Sequence, residues 1–138
     1  MSALKVTLPS VPSVNAMYLT TKFGKRIRTK KAKDWFEAAE AAITKAIAEQ
    51  GWEKTEQKKV VVEVMTYWPD KRRRDTNNSA KALADALEHA GVYDDDRYAL
   101  LRYIDYEYCK ENPRVECVVY RFDAARDGWK HESEVDNH

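Results

Sequence analysis

The sequence predicts an α+β fold in one domain, a mixed sheet with two main helices. Three observations predict it. Runs of β-branched and aromatic residues recur along the chain and break at proline or asparagine. Two segments between them place their apolar residues at helical spacing and end at glycine. The 138 residues contain no internal repeat and no linker-like stretch, so strands and helices share one core.

Leu4 to Leu8 (LKVTL) alternates and reads as a first strand. Pro9, Pro12 and Ser13 break it, and a loop is expected through Asn15 to Tyr18. The stretch TTKFGKRIRTKKAK follows. It crowds Lys22, Lys25, Arg26, Arg28, Lys30, Lys31 and Lys33 together, with Gly24 marking a turn in a ribbon or loop. Such a stretch is either a solvated surface or an element that tracks phosphates. A long helix is expected from Thr29 or Lys30 to Gln50. Ala32, Trp35, Phe36, Ala39, Ile43, Ala46 and Ile47 form its apolar face, and Gly51 stops it. Trp35 and Phe36 on that face read as core rather than as base-stacking platforms.

Val60 to Trp68 (VVVEVMTYW) reads as a central strand that Pro69 ends. Ser79 to Ala90 reads as a short helix with Ala80, Leu83, Ala84 and Leu87 as its buried stripe. Asn77, Asn78 or Ser79 caps its start and Gly91 closes it. Tyr98 to Cys109 and Arg114 to Phe122 read as two further strands joined through Asn112-Pro113. The domain is expected to span residues 1–125, with residues 126–138 a loose polar tail.

Composition bounds the function. The chain is 43% hydrophobic, enough for a core, and no apolar run nears the ~20 residues of a membrane helix. Nor does MSALKVTLPS carry the apolar stretch of a signal peptide, so a soluble cytoplasmic protein is expected. Cys109 and Cys117 lack zinc-ligand spacing and read as small core or strand residues. The net charge of +1 conceals an asymmetry. Up to Arg74 there are 16 basic against 8 acidic residues, and from Asp75 there are 8 against 15. Either the halves pair in the fold or the first half meets an anionic partner. The clustering of the basic residues favours the partner.

Trp68 to Asp96 concentrates the chemistry. Arg72, Arg73 and Arg74 suit bidentate contacts to phosphate. Asp75 follows them, and Asp94, Asp95 and Asp96 lie beyond the second helix. Magnesium prefers oxygen ligands, is often held by one or two carboxylates, and orients water against a phosphodiester. The competing explanation for the triplet is an acidic turn. Side chains of adjacent residues diverge, so one or two of the three are expected to be structural. Lys81, one turn into the helix, either offsets transition-state charge or pairs with Asp85 at i,i+4. A helix from Asn77 to Gly91 would rise ~20 Å. Asp75 and the triplet would then stand at its opposite ends. An antiparallel two-fold dimer joins them more simply than a chain that folds back, so a metal site shared between subunits is expected.

PDKRRRDTNN, then Lys81, then DALEHAGVYDDD, together with LPSVPSVNAMY and its following basic stretch, resembles the RusA-type Holliday junction resolvases. The similarity runs from Val6 to Tyr120. The resemblance implies an α+β homodimer of bacteria, their phages or prophages. It also implies magnesium-dependent paired cleavage of four-way DNA junctions in recombination and repair, with manganese as an alternative ion. Its catalytic residues map onto Asp75, Asn77, Lys81 and Asp96. Its metal ligands map onto Asp75, Asn77 and Asp96, with Asp95 adjacent. Lys22, Lys25, Arg26, Arg28, Lys30, Lys31 and Arg72 to Arg74 would bind DNA. One departure matters: the family pattern Asp-x-Asp-Asn stands here as Asp75-Thr76-Asn77-Asn78. Asn77 keeps a carbonyl oxygen but not the charge. It is an engineered substitution, a natural variant that needs one fewer carboxylate, or the mark of a junction binder that does not cut. Asp→Asn disables a nuclease while keeping its shape, which favours the first. The rival function is a non-catalytic branched-DNA binder, and a weaker third reading is a protein-interaction domain.

Overall fold

The structure is a computed structural model, and it describes residues 3–130. Strand β1 (Leu4–Pro9) buries Leu4, Val6 and Leu8 and exposes the residues between them, so its alternation is that of a sheet with one covered face. The expected loop through Asn15 to Tyr18 is instead a helical turn, α1 (Val14–Met17). Ser13 accepts a hydrogen bond from the Ala16 N–H, and Met17 is buried beneath it. Strands β2 (Tyr18–Thr20) and β3 (Arg26–Arg28) then pair as an antiparallel ribbon, turned at Gly24 with φ +80°.

Helix α2 (Lys30–Gln50) begins where Thr29 accepts the Ala32 N–H and ends at Gly51 in the left-handed region. Its apolar stripe, Trp35, Phe36, Ala39 and Ile43, is buried against the sheet. Strand β4 (Val60–Trp68) leads through a loop to a 3-10 turn (Thr76–Ser79) and helix α3 (Ala80–His89). A second 3-10 turn (Asp96–Tyr98) opens β5 (Ala99–Tyr108), and β6 (Arg114–Arg121) follows. The short helix α4 (Ala124–Asp127) comes last. The tail expected from residue 126 thus starts inside a helix, where Asp127 is buried and bonded to Arg126; residues 131–138 lie outside the described residues.

The main sheet has the order β1-β6-β4-β5, with β4 in the interior. β6 runs antiparallel to both its neighbours, whereas β4 and β5 are parallel and joined over the sheet by α3. Helices α2 and α3 cover one face. There Leu83, Ala86 and Leu87 of α3 meet Val60, Val62 and Val64 of β4 and Val115, Cys117 and Val119 of β6 in one core. Burial holds the Cys117 thiol up at about 12, so it behaves as a small apolar residue.

The β4–β5 register slips once, between Val64 and Met65. Val64 faces Tyr103 and Met65 faces Asp105, so Ile104 is the extra residue of a bulge. None of the helices in the described residues is long and apolar enough to cross a membrane.

Candidate functional site

The entry of α3 is built by a self-bonded loop. Asp70 accepts the Arg72 N–H, and the Arg74 guanidinium pairs with the Asp70 carboxylate at 2.9 Å. Arg74 also donates to the carbonyls of Asp70 and Arg72. The Arg72 N–H bond first, and then the Arg74 contact, hold the Asp70 carboxyl below its ordinary range. Arg74 lies 4.9 Å over the Trp68 ring. It is therefore largely committed to shaping the loop, while Arg72 and Arg73 are exposed.

Asp75 ends this loop and caps the 3-10 turn by accepting the Asn77 N–H at 3.1 Å. It borders a cavity of about 260 Å³ lined by Val11, Pro12 and Ser13 from the N-terminal loop and by Trp68, Arg73, Arg74, Asn78 and Ser79. Asn77 is exposed and shares with Arg73, Arg74, Asp75 and Thr76 an open concavity. Beneath them, Ser79 and Tyr103 share a 2.6 Å hydrogen bond that ties the turn to β5. Burial raises the Tyr103 phenol above its ordinary value.

Lys81 projects from the first turn of α3 with its side chain 79% exposed, and its Nζ lies 3.5 Å from Asp85. It borders a second cavity, of about 410 Å³, between α3 and the β2–β3 ribbon. Arg26 and Arg28 line the opposite wall. Arg28 also reaches Asp85, at 4.0 Å.

The aspartate triplet divides its tasks. Asp94 accepts the Gln57 N–H with both oxygens at 3.1 Å and braces a residue whose φ is +52°. Asp95 caps the second 3-10 turn through the Arg97 N–H. Asp96 turns back along α3 toward Asp85. Its carboxyl is pushed above the ordinary range, first by burial and then by a hydrogen bond with Asp85 and the charges of Glu88 and Asp85; Lys81 opposes this. Its N–H donates to Glu88 at 2.7 Å. The loop is pinned from below, where Tyr93 donates to the Ala84 carbonyl and Trp52 to the Val92 carbonyl.

Among the described residues, Glu88, Asp95 and Asp96 offer carboxylate oxygens within 4.8 Å of one another. Asp75 and Asn77 stand at the other end of α3, and the ten residues of that helix rise about 15 Å. Every donor in both groups is oxygen, the set that a hard divalent cation takes. Sequence reasoning missed Glu88 as a member of the group and treated Asp85 only as a partner for Lys81. The signal was present: Lys81, Asp85 and Glu88 follow one another at i,i+4 and i,i+3 on one helix face.

The predicted DNA contacts fall in two places. Arg72 to Arg74 lie at the entry of α3. Lys22, Lys25, Arg26 and Arg28 lie on the ribbon, with Lys30 and Lys31 at the start of α2. Arg28 stacks 3.8 Å over Phe36 and Arg26 lies 4.5 Å over Tyr18, so the ribbon's cations are partly held by rings. Lys30 is paired with Asp34 at 2.8 Å.

A family model described as endodeoxyribonuclease RusA matches residues 8–120. No curated protein matches the chain.

Proposed function

This chain belongs to the RusA endodeoxyribonuclease family, nucleases that act on Holliday junctions, and on that premise we propose a homodimeric, metal-dependent resolvase that cuts paired strands of four-way DNA. One observation carries this reading: the exposed Arg72 and Arg73 stand three and two residues before Asp75 at the entry of α3, while Asp95 and Asp96 pack beside the same helix. Arg72 and Arg73 grip the backbone on either side of the scissile phosphate, and the ribbon cations hold a neighbouring arm.

Asp75, Asn77, Asp95 and Asp96 would hold magnesium or manganese, which supplies charge neutralisation at the phosphate and a more acidic water. Asp75 is kept in place by its bond to the Asn77 N–H. The pair of Lys81 with Asp85 is exposed on the lysine side and contributes little stability. Lys81 is thus free to swing to a phosphate and offset charge on the leaving oxygen. Asp75 precedes α3 and Asp96 follows it in the chain, and a two-fold axis perpendicular to that helix, which runs the two copies antiparallel, would set each beside the other subunit's complement.

Asn77 favours a second reading, a junction binder that does not cut, because its amide carries no charge. Incubating this chain and Asn77→Asp with a labelled four-way junction, with and without magnesium, decides between them. Cleavage by the variant alone makes Asn77 the disabling residue. Cleavage by both shows that two aspartates suffice. Binding without cleavage by either supports the binder.

A further inference from the structure

The bulge at Ile104 has an effect beyond register. In an uninterrupted strand Tyr103 and Tyr106 would point to opposite faces; the extra residue returns Tyr106 and Tyr108 to the face of Tyr103, the one that carries α3. There they stand opposite Thr66 and Trp68, past the end of the core, 48% and 44% exposed. Their rings meet edge to face at 6.1 Å. Facing them across a cleft of about 200 Å³ is the loop Lys71 to Arg74, with Trp68 at the base. Lys71 already lies 6.0 Å over the Tyr108 ring. One wall is therefore aromatic and the other cationic, and Asp75 follows directly on the cationic wall.

Asp70 pairs with Arg74 and, at 3.9 Å, with Arg72, but a purely apolar partner would bury Lys71 and Arg73 with no carboxylate against them. A nucleotide answers both walls, offering a π-face to the rings and a phosphate to the guanidinium groups. A base paired and stacked within duplex DNA presents no free face, so only an unstacked nucleotide can enter. We propose that this cleft takes one unstacked nucleotide of the DNA strand that passes Asp75. Its base lies against Tyr106 and Tyr108, its phosphate on Arg72 and Arg73, and the cleft thereby favours branched over continuous DNA. The inference rests on the DNA-cleaving or DNA-binding reading above and adds to it the feature of the substrate that is recognised.

The test uses the full chain, a four-way junction with 2-aminopurine at the branch point, and a continuous duplex of the same arms. The expected result is a change in 2-aminopurine fluorescence on binding. It is lost in Tyr106→Ala/Tyr108→Ala and kept in Tyr106→Phe/Tyr108→Phe. Junction affinity falls about tenfold or more in the alanine pair, while duplex affinity is unchanged. Equal loss on junction and duplex, or no loss on the junction, overturns the proposal. So does a shift of the alanine pair from dimer to monomer in light scattering, which would assign the rings to a second copy of this chain. Should the unaltered chain bind neither DNA, the nuclease reading itself falls, and that outcome is distinct from binding with an indifferent cleft.

Discussion

Asp94, Asp95 and Asp96 share one chemistry, and their neighbours decide what each does. Asp94 is spent on the Gln57 backbone, Asp95 caps a turn with one oxygen and offers a carboxylate oxygen to the group with Glu88, and Asp96 is drawn against Asp85 and Glu88. The sequence announced a cluster of oxygen donors. Which member turns inward depended on the loop's anchoring by Tyr93 on the Ala84 carbonyl and by Trp52 on the Val92 carbonyl, bonds that the spacing of the aspartates does not encode. Lys81 is the clearest case of two legible roles at one residue, since the structure forms the Asp85 pair and leaves the ammonium exposed. Lys81→Ala should lower the single-turnover rate about 100-fold in whichever of the chain and its Asn77→Asp variant cuts, and should shift unfolding by less than about 0.5 kcal/mol. Equal loss of rate and of fold would mark it as structural. Asp127 offers a test of acid stability. The Arg126 guanidinium holds its carboxyl down at about 2. A depressed folded value contributes stability above the unfolded value of about 4 and loses it as pH falls toward 2. The difference in melting temperature between the chain and Asp127→Asn should therefore be present at pH 6 and shrink between pH 4 and 2.

At the scale of elements, periodicity was a good guide to α2 and β4, while in α3 it found Leu83 and Leu87 but named Ala80 and Ala84, which are half-buried, in place of the buried Ala82 and Ala86. The stripe Ala32, Trp35, Phe36, Ala39, Ile43 became the buried face of α2, and VVVEVMTYW became the interior strand β4. The other misses lie at the rim. The turn of α1 follows proline-rich sequence and is held by a serine cap and one buried methionine, too little repeat for a period to show. The bulge at Ile104 depends on pairing between strands, which no single strand encodes. Helix α3 matters doubly, because its buried stripe fixes the spacing of both acidic groups. Leu83→Ala should cost about 2–5 kcal/mol in chemical denaturation. Gly91, at φ +94°, ends that helix with open space around its Cα, so Gly91→Ala strains only the backbone and should cost about 1 kcal/mol or more.

For the whole molecule, the charge asymmetry becomes spatial. Many of the ion pairs are local, such as Lys30–Asp34 and Lys45–Glu49, while the ribbon and the entry of α3 keep exposed cations. If about six of these contact phosphates, junction affinity should fall about 1,000-fold between 50 and 200 mM salt. A flat response would remove the polyanion reading. Shared sites make a separate prediction for mixed dimers, in the background that cuts. One Asp75→Ala subunit paired with one Asp96→Ala subunit should retain a single intact site and nick one strand. If each subunit carries its own site, the same mixed dimer is inactive.

The pairing of β1 with β6 joins Leu4 to Val119. Strand β1 therefore leaves the ribosome long before β6 and waits for it before its backbone finds a partner, a high contact order that slows folding. Until Arg114 to Arg121 emerge, Leu4, Val6 and Leu8 have no neighbouring strand. A nascent chain stalled before Arg114 should be cut readily by protease within Leu4–Pro9, and one extended past Arg121 should resist.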